Sequence, residues 1–209
     1  MNHRQRIASS LIAAALAGAA LISSAPTALA AEGPSVRSLT VGSEGTSLTI
    51  TFDVPVSAAK AAGLRAELGS QANSEGTAST RGIDKGPIYP VVNCSEGNRS
   101  FTDRNGTFDV RYNCGYNVVN WGYKVSGALV SIAASTMQET GVRWYKGSTF
   151  LGQNAPHNVP VSYSLHGTQG GMNSGDLLHW SDTMTFKVNA GGVPGSAHLT
   201  VGGSFVVLR

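Results

Sequence analysis

The chain has 209 residues, 41% hydrophobic and 13% charged, with 26 Gly, 8 Pro, 2 Cys and a formal net charge of +3. That length and apolar content suit one buried core, which excludes both a disulfide miniprotein and a disordered tail. Two of the 15 basic residues, Arg4 and Arg6, precede every acid, so the remaining 13 bases face 12 acids and the body beyond them carries +1. A near-neutral body lacks the clustered Lys and Arg that nucleic acid or an anionic membrane demands.

Residues 1–30 read as a cleaved secretory signal peptide: a basic start (His3, Arg4, Arg6), an apolar run over 7–22, then Ala28 and Ala30 around Leu29. The run is Ala-rich and broken by Ser9, Ser10 and Gly18, unlike the roughly 20 strongly apolar residues of a stable span. Cleavage is expected after Ala30, leaving residues 31–209 as a single secreted β domain with no membrane span.

Residues 46–54 alternate Leu48, Ile50, Phe52 and Val54 with polar residues, the period of a strand with one buried face. A short helix is expected over 57–68, capped by Ser57, striped by Val56, Ala59, Leu64 and Leu68, and ended by Gly69. Residues 69–87 are polar and nearly free of large apolar side chains, the texture of a flexible loop.

Cys94 and Cys114 are the only cysteines, and export makes a disulfide between them the expected state. Asn105-Gly106 lies between them and is a preferred two-residue hairpin loop. That loop pairs Phe101 with Val110 and Cys114 with Gly97; a longer turn over 103–106 is the alternative register. The bridge is expected to clamp the base of this hairpin. Neither cysteine has CxxC or metal-ligand spacing, and no metal or cofactor motif stands elsewhere.

Downstream, Val119, Trp121, Tyr123 and Val125 alternate, as do Val161, Tyr163 and Leu165, and then Met184, Phe186 and Val188. Leu199 and Val201 precede Gly202-Gly203, read as a turn, and residues 205–208 form a continuous apolar strand. The Gly-rich stretch 167–175 reads as a surface loop. Roughly eight to ten short strands joined by hairpins indicate an all-β fold, an antiparallel β-sandwich or a barrel. Val142-Arg143-Trp144-Tyr145-Lys146-Gly147, followed by Phe150-Leu151-Gly152, resembles the central strand and following turn of immunoglobulin-like domains. The resemblance implies a sandwich of similar style.

The one cluster with acid-base potential is Asp176, His179 and Asp182. On a regular strand, however, residues three apart point to opposite faces, so convergence would require a bend. His198 is expected to point outward, His157 to sit in a solvated loop, and His166 to end a strand. HExxH, GxSxG and phosphate-loop patterns are missing. Trp121, Trp144, Tyr145 and Trp180 are the candidate binding aromatics; Trp144 and Tyr145, being adjacent on a strand, must face opposite ways.

The leading expectation is a noncatalytic secreted interaction or adaptor protein that docks another exported protein, as in a toxin or surface assembly. Its strand edges, loops or N-terminal arm would do the docking, since strand addition uses backbone hydrogen bonds and leaves little motif behind. A secreted hydrolase centred on His179 with an acidic or seryl partner is the alternative, and a glycan-binding or protease-inhibitor module is a third.

Overall fold

The longest apolar alternation decides the architecture. In the computed structural model, which describes residues 34–43, 45–69 and 89–209, Leu178, Trp180, Met184, Phe186, Val188 and Ala190 all fall on one face of β12 (Leu177–Ala190). Gly191 and Gly192 then turn the chain with φ of 58° and 80°, the pair of positive values that a tight two-residue hairpin needs. β13 (Val193–Leu208) returns alongside in unbroken antiparallel register from Ala190↔Val193 to Leu177↔Val206. This long hairpin is the spine of a nine-stranded sheet.

Around one half of the spine, β2 (Thr46–Ser57) pairs with β13, and β1 (Ser35–Ser43) pairs with β2 at the edge. On the other side of the same half, β7 (Thr136–Glu139) pairs with β12 and β10 (His157–Pro160) with β7. The second half carries β3 (Val91–Asn93), parallel to the end of β13, and β8 (Arg143–Lys146) with β9 (Thr149–Gln153) beside β12. The smaller sheet has the order β11 (Ser164–Gly170), β6 (Val118–Val125), β5 (Gly106–Asn113), β4 (Arg99–Thr102), all antiparallel.

Facing aromatic rings join the sheets into a sandwich: Phe108 of β5 stacks on Trp180 of β12 with centroids 3.8 Å apart, and Trp121 of β6 meets Trp144 of β8 at 6.3 Å. The class matches the expectation from strand alternation. The nine-plus-four arrangement nevertheless differs from the seven- or nine-strand immunoglobulin plan, and the described residues hold thirteen strands rather than eight to ten.

The expected helix is present as α1 (Ala58–Gly69). Ser57 Oγ accepts the Lys60 N–H at 3.3 Å, the capping bond that its position predicted. Its inward stripe is Ala61, Leu64 and Leu68, while Ala59 lies outside it and is exposed. A second short helix, α2 (Gly127–Ile132), follows β6. The signal peptide expected over 1–30 lies outside the described residues, as does the loop expected over 69–87 apart from Gly69, which ends α1.

Several turns read from glycine prove to be strand. β13 runs straight through Gly202 and Gly203, because Gly203 lies opposite Trp180 and a Cβ there would sit 3.0 Å from the indole Nε1. Gly167 similarly belongs to β11, opposite Trp121, whose ring atoms would lie 2.8–3.0 Å from a Cβ. In both places the bare glycine makes room for an indole from the neighbouring strand, which compensates the weak strand propensity of glycine. Conversely, Val161 and Ser162 form a turn between β10 and β11, so Val161, Tyr163 and Leu165 do not share one strand.

The hairpin loop is displaced by one residue. Thr102 pairs with Thr107 and Phe101 with Phe108, and Asp103 donates its N–H to Gly106 O at 2.9 Å, so Arg104 and Asn105 form the loop. Asp103 Oδ1 accepts the N–H groups of Asn105 and Gly106 at 2.8 and 3.0 Å, fixing this alternative. The partner of Phe101 shifts by two residues, from Val110 to Phe108, so the inward set is unchanged.

Cys94 and Cys114 are bridged as expected. Cys94 follows β3 of the large sheet and Cys114 follows β5 of the small one, so the bond staples the two sheets together as well as closing the hairpin. With a sequence separation of 20 between its ends, loop-closure reasoning gives about 3 kcal/mol of stabilisation. Urea unfolding of the Cys94→Ala, Cys114→Ala double variant should show a loss of that order. A loss below about 1 kcal/mol contradicts the stapling role.

Candidate functional site

The structure separates the three residues of the predicted acid-base cluster. His179 and Asp182 lie on opposite faces of β12, as their odd spacing requires. Asp176, in the turn before β12, approaches Lys146 Nζ at 3.6 Å and accepts the Asn173 N–H at 2.7 Å. His179 instead meets a serine: its Nδ1 lies 2.6 Å from Ser204 Oγ, directly across the β12–β13 ladder, with the Tyr89 ring edge-on at 6.2 Å. A third group that would orient the imidazole is missing among the described residues, so the pair lacks the base-orienting member of a triad.

Trp121, Trp144 and Trp180 are 4%, 0% and 7% exposed. They pack the sandwich core and do not form the outer binding surface expected of them. Tyr145 alone of the four reaches the outer face, edge-on to the exposed Phe150 at 5.4 Å. The opposite facing of Trp144 and Tyr145 holds for the same geometric reason as that of His179 and Asp182.

Asp182 has a different partner, one that sequence motifs do not reveal. It falls in register with the apolar set Leu178, Trp180, Met184 and Phe186, which carries it into the core at 3% exposure. Glu139 is likewise in phase with the buried Met137 on β7. Burial first, and then the hydrogen bond and charge of Glu139, push the Asp182 carboxyl up to about 8 against the opposing Thr183 N–H and Thr140 hydroxyl. Asp182 therefore keeps its proton at neutral pH and shares it with Glu139, which accounts for the two oxygens, Asp182 Oδ2 and Glu139 Oε1, that have no other donor.

The far oxygen of Glu139 holds β10. Glu139 Oε2 accepts the His157 backbone N–H at 3.0 Å, and His157 Nδ1 lies 2.9 Å from it. His157 is thus an anchored strand residue at the end of a row of three ionisable side chains crossing β12, β7 and β10, rather than a free loop side chain. His198 is exposed as expected, and His166 is exposed on β11. Among the described residues no three His, Cys, Asp or Glu side chains form a metal site.

A cavity of about 300 Å³ opens between the sheets where β4 faces the middle of β13. Five rings line it, from Phe101, Phe108, Tyr123, Trp180 and Phe205, and Thr46, Thr102, Asp103 and Ser204 supply polar groups. The exposed Thr102 and half-buried Phe101 and Pro90 form its rim. Gly202 and Gly203 leave the β13 wall without side chains at this point.

The Tyr123 hydroxyl is the unusual group here. The residue is 3% exposed, yet its Oη has no hydrogen-bond partner. It lies against Gly106, where a Cβ would come within 2.5 Å of Oη. Burial, and after it the charges of Asp103 and Asp182, hold the phenol well above its ordinary range, so it stays a neutral donor. A buried hydroxyl without a partner costs about 1–3 kcal/mol. Sequence alternation placed Tyr123 on the inner face, but only the fold sets it beside a cavity.

Against known proteins, no family model matches the chain, and neither a curated sequence nor a solved structure matches it.

Proposed function

We propose that the chain is an exported, noncatalytic binding module that docks another exported protein, and that the partner inserts a side chain into the intersheet cavity. The observation that supports this reading is the cavity of about 300 Å³ between the sheets, with five ring-bearing residues in its lining and Phe101 and Pro90 at its rim. That volume is at the small end of ligand sites and suits one large side chain. Ring-lined pockets that exclude water are where interface energy concentrates. The disulfide fits the oxidising surroundings that the leader sequence implies, and no helix among the described residues is long and apolar enough to cross a membrane.

Thr102→Trp tests the reading by placing an indole over the exposed rim. Mixed with culture fluid and run through a sizing column, wild type should elute with its partner. Thr102→Trp, with unchanged melting, should elute alone. Equal retention by the two proteins rejects the cavity as the docking site.

The hydrolase alternative draws on one observation, the 2.6 Å contact between Ser204 Oγ and His179 Nδ1. The docking reading treats it as a cross-strand hydrogen bond. Ester hydrolysis above background that disappears in Ser204→Ala would favour the enzyme instead.

A further inference from the structure

β6 holds a glycine that its neighbours do not require. Gly106, Gly167, Gly195, Gly202 and Gly203 each lie where a Cβ would come within 3.0 Å of an atom on an adjacent strand. At Gly122 the nearest such atom, the Leu165 carbonyl oxygen, would be 3.5 Å away, an ordinary contact, and the backbone there has no positive φ. Yet β6 is paired on both sides, by β11 and β5, and glycine weakens the interior of a strand. A strand glycine without a packing reason marks a place where something else approaches the backbone closely.

Trp121 and Tyr123 are buried on the inner face, so the bare position of Gly122 faces outward. It floors a dent of about 210 Å³ on the outer face of the small sheet, lined by Asn98, Asp109 and Asn120, with Val110 and Trp121 beneath, their side chains in the core. Asp109 lies opposite Gly122 across the β5–β6 ladder, Asn120 is two residues earlier on β6, and Asn98 just precedes β4. Hydroxyls of adjacent strands hold two of these side chains: Ser100 Oγ donates to Asp109 Oδ1, and Thr168 Oγ1 donates to Asn120 Oδ1 at 3.0 Å. Asp109 Oδ2 is left as a charged acceptor and Asn120 Nδ2 as a donor, neither with a partner among the described residues.

The surrounding charges restrict what can sit there. An anion would meet Asp109, and a cation would meet Arg111 and Lys124, both exposed on the same face, so an uncharged ligand fits best. No exposed apolar side chain lines the dent, which removes the anchor that a hydrophobic group would need. A group that donates to a carboxylate while accepting from an amide is a hydroxyl, and two hydroxyls on adjacent carbons can engage both. The volume suits a single sugar ring resting on Gly122, less than an enclosed drug-sized site holds. Ser100, Arg111 and Thr168 around it are exposed, so a chain of sugars can run past on either side.

We propose that the outer face of the small sheet binds a neutral sugar residue of a glycan, its ring on Gly122 and its neighbouring hydroxyls shared between Asp109 Oδ2 and Asn120 Nδ2. This site is separate from the intersheet cavity, and it stands or falls independently of a docked protein.

The test immobilises the full mature protein and passes over it polyacrylamide bearing glucose, mannose or galactose, with sugar-free polymer as the blank. At least one sugar polymer should bind, and the matching free methyl glycoside should displace it at about millimolar concentration, a hundredfold or more weaker than the polymer itself. Gly122→Val fills the dent with a better strand former, so it should abolish binding while the melting temperature stays level or rises. Asp109→Asn keeps an acceptor for Ser100 and should weaken binding tenfold or more.

Failure of all three polymers to bind above the blank overturns the proposal, as does full binding by Gly122→Val. Should that variant melt early, Asp109→Asn decides, and unchanged binding by it overturns the assigned hydroxyl contacts. A free glycoside that binds as tightly as its polymer overturns the glycan source in favour of a dissolved sugar.

Discussion

Raising the pH from about 5 to about 9 should loosen the wild-type fold, and Asp182→Asn should abolish that response. Asp182 is 3% exposed, and its carboxyl is pushed from an ordinary 3.8 to about 8, chiefly by burial and then by Glu139. Between those values the native protein holds a proton that the unfolded chain has released. The stabilisation is complete below about 4 and is lost as the pH rises through about 8. At about 1.4 kcal/mol per pH unit, the upper limit of the effect is on the order of 5 kcal/mol. Asparagine keeps an acceptor for Thr140 Oγ1 and the Thr183 N–H, at 3.1 and 2.6 Å from Oδ1 in the wild type. It also places a permanent donor toward Glu139. Urea midpoints measured across the window should therefore fall in wild type and stay level in the variant. Parallel slopes would show that the carboxyl pair does not hold its proton as described.

Gly141→Ala should cost about 3–5 kcal/mol, a large part of the stability of an ordinary domain. Gly141 has φ of 93°, and a Cβ would lie 2.0 Å from the Asn154 carbonyl oxygen and 3.0 Å from its carbon. The obstacle is backbone and is tied in place. The Asn154 N–H donates to Val142 O at 3.0 Å, the Trp144 indole donates to Asn154 Oδ1 at 3.2 Å, and Gln153 Nε2 donates to Thr140 O at 2.6 Å. Neither segment can step aside without breaking one of these bonds. Gly63 provides the contrast, since it lies inside α1 and a Cβ added there would meet nothing within 4 Å. Gly63→Ala should stabilise by about 0.5–1 kcal/mol through helix propensity. A Gly141→Ala protein with native urea stability would show that the crossing at Asn154 has slack that these distances deny.

Periodicity revealed the inner faces well and the connections poorly. Leu48, Ile50 and Phe52, or Trp121 and Tyr123, point inward because side chains alternate along any strand, whatever pairs with it. The same rule correctly kept His179 from Asp182. It also contained an unused signal, for an acid in phase with Leu178, Trp180 and Met184 must be buried, and Asp182 is. What it does not contain is the partner. Glu139 reaches Asp182 only because β7 docks beside β12, a strand far along the chain, and nothing local encodes that neighbour.

Two of the three Gly-Gly pairs show where the boundary lies. Residues 191–192 and 202–203 have the same composition and each follows an apolar residue, yet the first reverses the chain and the second continues a strand. The difference arises from Trp180, which occupies the space over Gly203 once β12 and β13 are in register. Alternation and capping by themselves determined an all-β chain, most of its inward side chains, with Val54 the exception at 53% exposure, and one short helix begun by Ser57, while the presence of only two cysteines set their pairing. Tertiary structure alone decided which glycines turn, which strands meet, how two acids share a proton and where a cavity lies beside Tyr123. The physical reason is that facing and capping are set by bonds and side chains within a few residues, whereas close approach and burial depend on groups brought together from distant parts of the chain.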